Sequence, residues 1–273
     1  MKKIILTADD LGINKETNKA IEEAYKKGTL TSACIMTNMD CFVDALQVIK
    51  NCPNLDIGIH LNIIEGCALL KEKNPLCDKS GKFNNSYLKI LLNSYNKKYM
   101  EYVEKEFTLQ IEKLLKIGLK PSFINSHVHT HAIPEVFKLT CELARKYNIK
   151  AIRTQDEIFY IAPDKNHFKI LYFINIIKHF LLKIFTLVNK NTLNNYDLKT
   201  NTNFIGVLYT LNMDENSIIS GLKKVKNNSE IILHPTTDSS KRDKYIEYRT
   251  LTDKNFIEKL KKEDVKLVKF KDL

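Results

Sequence analysis

The chain has 273 residues, with 44% hydrophobic and 27% charged content, and suits a single large globular domain. Its net charge of +11 comes mostly from lysines spread over helix-like stretches such as "EKLKKEDVKLVK". No basic block alternates with aromatics, so a nucleic-acid partner is not expected. Eight glycines and no GxGxxG, GxxxxGK or GxSxG motif speak against phosphate-loop, dinucleotide and nucleophile-elbow chemistry.

In chain order, "KIILTAD" (3–9) reads as a strand that stops at two adjacent carboxylates, Asp9 and Asp10. A helix over 14–27 follows and ends at Gly28, the residue a left-handed cap favours. "TSACIMTN" (31–38) and "DIGIHLNI" (56–63) are the second and third strands. Residues 64–97 show little regular pattern, and so long a loop in a compact domain is usually a lid or substrate wall. Met100, Val103, Phe107, Ile111 and Leu114 recur at helical spacing over 98–117, and Gly118 ends that helix. "PSFINSH" (121–127) is a fourth strand, and Pro134 opens the next helix. "IKAIR" (149–153), "NFIGVLY" (203–209) and "EIILHP" (230–235) supply the fifth to seventh strands, and "VKLVKF" (265–270) closes the set. Strands alternating with helices indicate a parallel α/β sheet or barrel, and no linker or repeat divides residues 1–273.

The segment "FKILYFINIIKHFLLKIFTLV" (168–188) is apolar enough to suggest a membrane helix. Lys169, Lys178 and Lys183 interrupt it, and each would cost about 2.5–3.5 kcal/mol near a bilayer centre. Asn175, Lys178, His179, Lys183 and Thr186 form one polar stripe. The expectation is a soluble helix that buries its apolar face against the barrel or a second subunit, with no membrane span and a homodimer left open. The six cysteines form no CxxC pair, and Lys2-Lys3 leads straight into the first strand, so reduced thiols and a cytoplasmic location are expected.

The chemistry-bearing residues share one position, the carboxyl end of a strand. Asp9 and Asp10 end the first, His60 the third, "NSHVHTH" the fourth, Arg153 the fifth and His234 the seventh. In parallel sheets and barrels those ends open on one face, where active sites are built. One carboxylate with two or more imidazoles makes a divalent-metal set, and the second aspartate can then remain ionised as a base because the cation offsets the repulsion. In an extended "HVHTH", His127, His129 and His131 would share one side.

"TADDLG", "IGIHLN", "NSHVHTH", "IKAIR" and "EIILHP", in that order, resemble the YdjC-like carbohydrate deacetylase family, which includes diacetylchitobiose and hopanoid-associated deacetylases. The resemblance covers nearly the whole chain. It implies a (β/α) barrel, often distorted, that removes acetyl groups from N-acetylated amino sugars carried on a short oligosaccharide or glycoconjugate. It implies a divalent metal, magnesium being expected, although the donor set suits zinc, manganese or cobalt about as well. By the same resemblance Asp10, His60 and His127 are metal ligands, Asp9 is the general base, and His234 is the acid or transition-state partner. Arg153 orients Asp9 or the substrate. Asn125 departs from the pattern, standing where an aspartate is usual. Gln155 replaces a frequent proline, Glu157 matches the usual acid, and residues 165–195 do not align. A metal phosphoesterase or amidohydrolase and a non-catalytic sugar-binding protein remain the rival readings.

Overall fold

The computed structural model describes residues 1–163 and 170–273. Its strands are β1 (Lys2–Leu11), β2 (Ser32–Ile35), β3 (Asp56–Leu61), β4 (Phe123–Ser126), β5 (Ala151–Ile152), β6 (Phe204–Ile205), β7 (Ser229–Leu233) and β8 (Val265–Leu267). Every strand pair is parallel, in the order β5-β4-β3-β2-β1-β7-β6, with β8 beside the first residues of β1. Single parallel bridges, Ala151 to Lys199 and Glu157 to Phe204, span the gap between β5 and β6. The result is a distorted (β/α) barrel, as the sequence led us to expect.

Nine helices surround it among the described residues: α1 (Lys15–Lys26), α2 (Phe42–Asn51), α3 (Tyr87–Asn93), α4 (Lys97–Lys116), α5 (Pro134–Lys146), α6 (Ile170–Asn194), α7 (Glu215–Leu222), α8 (Arg242–Thr252) and α9 (Lys254–Lys262). Their ends follow local chemistry. The Asn14 side chain accepts from the Thr17 N–H at 2.8 Å to start α1, and Gly28 follows that helix in a left-handed conformation.

Strand periodicity divides the core in two. Ile4, Leu6 and Ala8 of β1, Ala33 and Ile35 of β2, Ile59 and Leu61 of β3, and Ile231 and Leu233 of β7 belong to the large cluster under the helices. The alternate positions Ile5, Cys34, Phe123 and Ala151 fill the barrel with Val268 and Phe270 from the C-terminal segment. The Phe123 ring stacks on Phe270 with centroids 3.9 Å apart. Gly58 makes room for it, since a Cβ there would lie 2.6 Å from the Phe123 ring.

Two expectations need correction. Residues 64–97 are more ordered than a bare loop: α3 lies within them, and Cys67 and Cys77 bridge antiparallel to Lys82 and Phe83. Leu76 and Ile90 are fully buried, which explains the fold-back. The 168–188 segment forms α6 from Ile170 onward, residues 168–169 lying outside the described residues, and it is the polar stripe, not the apolar face, that meets the barrel. Asn175, His179, Leu182 and Asn189 are buried, while Ile177, Phe180, Ile184 and Leu187 stand in solvent. Polar groups on the barrel cause this. Asn175 donates to the Leu208 carbonyl, Asn189 to the Ala132 carbonyl, Lys183 to Asp156, and the His179 ring meets Glu157. Buried carbonyls and carboxylates require such partners, and satisfying them outweighs hiding hydrocarbon.

Candidate active site

The two aspartates reach one barrel mouth because β1 is irregular there. Pairing with β2 runs Thr7–Ser32 and Ala8–Ala33, then jumps to Leu11–Ile35, so two residues of β1 oppose one of β2. Asp10 adopts φ of +68°, a left-handed conformation that aspartate tolerates better than most residues. In a regular strand neighbouring side chains point to opposite faces. The bulge keeps both carboxylates at the mouth, and both are buried.

Asp9 belongs to a charged layer across the barrel. Arg153 holds it in a fork, with N–H donors 2.6 and 2.9 Å from its two oxygens, and turns two further donors to Glu230 at 2.6 and 2.8 Å. All three side chains are essentially fully buried. Burial alone would raise the Asp9 carboxyl, but Arg153, with His60 and His234, holds it well below the usual range. Glu230 is the opposite case, raised by burial in spite of Arg153. The Cys34 thiol beside them is pushed well up by burial and by Asp9, and so stays protonated.

Asp10 belongs to a second cluster. Its Oδ1 lies 2.9 Å from His127 Nδ1 and 3.4 Å from His60 Nε2, and its Oδ2 lies 3.2 Å from Lys244 Nζ. Burial opposes its ionisation, but His127, His60 and Lys244 hold it well below the usual range. Glu65, from the start of the 64–97 segment, reaches His127 Nε2 at 3.3 Å. Burial would lower His127, but Asp10 and Glu65 push it up to about 10.

Asn125 ties the two clusters together. His60 and Asn125 are register partners on β3 and β4, and His60 Nδ1 lies 2.7 Å from Asn125 Oδ1. The Asn125 amide nitrogen donates toward Asp9 at 3.4 Å and to Cys34 at 2.9 Å. An amide oxygen only accepts, so His60 Nδ1 donates to it, while its Nε2 faces Asp10. The asparagine thus orients the imidazole as a carboxylate would, without adding a charge.

The three histidines of "HVHTH" do not share a side, contrary to expectation. Residues His127–Ala132 form a tight 3-10 segment in which Val128 and His129 are left-handed, with φ of +53° and +55°. His127 alone of the three reaches Asp10. His129 is edge-on to Phe204, and burial, reinforced by Arg153, keeps it well below its ordinary value. His131 is fully buried between Ser126 Oγ at 2.7 Å, the Arg153 carbonyl at 3.2 Å and Gln155 at 2.9 Å, and burial with Arg153 pushes it down to about 3. It braces β4 against the end of β5. His234 sits at the rim with Nδ1 3.8 Å from Glu247, whose other oxygen accepts the Met213 N–H. Glu157 accepts three successive backbone N–H groups, from Gly206, Val207 and Leu208, and so fixes the turn after β6.

Glu230, Lys244 and Glu65 went unnoticed in the sequence. Glu230 had a signal: it shares the inward face of β7 with His234, four residues on. Lys244 and Glu65 come from α8 and a loop, where no strand-end rule applies.

Asp10, His60 and His127 offer ligand atoms within 4.8 Å of one another, and a carboxylate with two imidazoles fits a divalent cation. Asp9, Cys34 and His60 meet the same distance test but fit poorly. Asp9 is already neutralised by Arg153, and the thiol holds its proton.

The chain is 30% identical to a carbohydrate deacetylase of Clostridium beijerinckii over 99% of its own length and 100% of that protein. It is 38% identical to a carbohydrate deacetylase of Listeria welshimeri over 56% of this chain and 62% of that one. Its fold matches the crystal structure of an Enterococcus faecalis V583 protein described as a cellobiose-phosphate cleavage protein. The TM-score is 0.76 at 22% identity, covering 99% and 98% of the two chains. Residues 3–262 match the family model described as YdjC-like protein. With the barrel, the strand-end site and a full-length relative in agreement, the chain belongs to the YdjC-like family.

Proposed function

We propose that this protein is a metal-dependent hydrolase that removes acetyl groups from N-acetylated amino sugars on a short oligosaccharide or glycoconjugate. The observation that carries the reading is the division of labour between two adjacent aspartates: Asp9 is locked to Arg153, and Asp10 lies among two imidazoles. Full-length relatedness to a carbohydrate deacetylase supports the same reaction.

Asp10, His60 and His127 would hold the metal, with magnesium expected and zinc, manganese or cobalt also suited to the set. When bound, that metal supplies Lewis-acid polarisation of the acetyl carbonyl. Asp9 takes a proton from the attacking water. Its Oδ2 keeps a lone pair beyond the Arg153 contact, whereas Oδ1 also meets the Asn125 amide, and the fork fixes their direction. As the water oxygen bonds to the carbonyl carbon and the C–N bond breaks, His234 at the rim hands a proton to the departing amine. Arg153 orients Asp9 and is itself held by Glu230. Six free cysteines accord with action in a reducing compartment such as the cytoplasm.

The test follows acetate and free amine together from a panel of N-acetylated glucosamine oligosaccharides, with magnesium, manganese, cobalt or zinc added or removed by chelation. Equal release of both products, lost with chelator and restored by metal, is expected. Phosphate release from a sugar phosphate with no acetate from any member of the panel would overturn it.

A further inference from the structure

Helix α8 brings two charged side chains to the mouth. Lys244 reaches Asp10, and Glu247, three residues on and so on the same helix face, reaches His234. The Glu247 carboxylate is fully buried, where a charge must have partners, and both of its hydrogen bonds come from the main chain. Its Oε1 accepts the Met213 N–H at 3.1 Å, and its Oε2 accepts the His234 N–H. The same Oε2 lies 3.8 Å from His234 Nδ1, a buried nitrogen with no hydrogen-bond partner among the described residues. The geometry points to Glu247 as a positioning residue that accepts a hydrogen bond from His234 Nδ1 and so presents Nε2 to the departing amine.

That role rests on the deacetylase reading, in which His234 supplies the amine with its proton. Three observations favour it. First, a carboxylate oxygen accepts along two lone pairs, so Oε2 has one left after the His234 N–H. Second, one oxygen grips the main chain of the residue whose ring it faces, so carboxylate and imidazole cannot drift apart. Pro235 adds to this by disfavouring a helical backbone at His234. Third, a buried ring nitrogen needs a partner, and Glu247 is the carboxylate beside it. The present 3.8 Å is about 1 Å longer than the roughly 2.8 Å of a charge-assisted bond. Catalytic hydrogen bonds are often long without substrate and tighten once it binds. As the C–N bond breaks, its electron pair stays on nitrogen, which takes the proton from Nε2. The ring keeps its Nδ1 proton against Glu247 and regains the other from solvent. Glu247 exchanges no proton; it favours the doubly protonated ring and fixes its direction.

Two measurements on the full chain test this. Long-range proton–nitrogen NMR of protein labelled at its seven histidines reads the tautomer of each neutral ring at alkaline pH, with His234 assigned by its loss in His234→Gln. The wild-type ring should carry its proton on Nδ1, and Glu247→Gln should move it to Nε2. On N-acetylated glucosamine oligosaccharides, Glu247→Gln should lower kcat about 100-fold while KM changes less than about twofold. In the His234→Gln background the same substitution should cost less than about twofold more, because the two residues act as one unit. A wild-type ring with its neutral proton on Nε2 overturns the proposal. So does an equal loss from Glu247→Gln in both backgrounds, which is what a plain brace for the Met213 and His234 main chains would give. If the wild type releases no acetate, the reaction reading falls, and the His234 tautomer still decides the pairing.

Discussion

Inside the barrel, Arg153, Asp9 and Glu230 are buried ions held in one bonded chain, whereas on the outer side of α6 isoleucines and phenylalanines stand in water. The two regions invert the usual placement of polar and apolar groups, for one reason. Polar groups go where partners for them are fixed, and hydrocarbon takes what space remains. At the mouth, strand ends converge and each charge meets its complement within hydrogen-bond distance. Along α6, carbonyls and carboxylates of the barrel claim the polar stripe, and the apolar stripe is left facing out.

The contrast breaks most visibly at Arg153. Arg153→Met leaves two buried carboxylates without their cation, and the expected loss is about 3–5 kcal/mol in urea unfolding. Because Asp9 is held below its ordinary value, its share of that stability is present at neutral pH and disappears only on strong acidification. A variant as stable as wild type would show that the fork contributes nothing. Next, Asp9→Asn keeps Arg153 paired with Glu230 and should retain bound metal while turnover falls about 100-fold or more. Loss of the metal would instead make Asp9 a ligand.

Asn125→Ala sharpens the comparison at the level of one hydrogen bond. Releasing His60 Nδ1 should weaken metal affinity by about 10-fold to 100-fold, read by calorimetry, with the fold retained. The smallest effect is expected at Lys183→Met, whose pairing with Asp156 is part-exposed on both sides, and a change of less than about 1 kcal/mol is predicted. A loss as large as that of Arg153→Met would mean that α6 depends on its polar stripe far more than exposure suggests.

The strands and the mouth were legible because a parallel barrel gathers every strand's carboxyl end on one face, whatever the sequence distance. Asp9, Asp10, His60, Asn125, His127 and Arg153 all meet there. His129 and His131 were misjudged because two left-handed residues turn the chain, and nothing in "HVHTH" announces them. The orientation of α6 was hidden because periodicity shows that a helix has two faces, without showing which one the rest of the protein needs. That need is set by Glu157, Asp156 and two backbone carbonyls distant in sequence.

Phe123 and Phe270, stacked across the lower barrel, have a consequence for traffic. They stop up one end, so everything reaching Asp9 must come and go by a single doorway. If the acetyl group is the end presented to Asp9, as the proposed reaction requires, the larger sugar amine has to back out before the small acid formed beneath it can follow. Acetate should then behave as the last product to leave, competing with incoming substrate for the emptied enzyme.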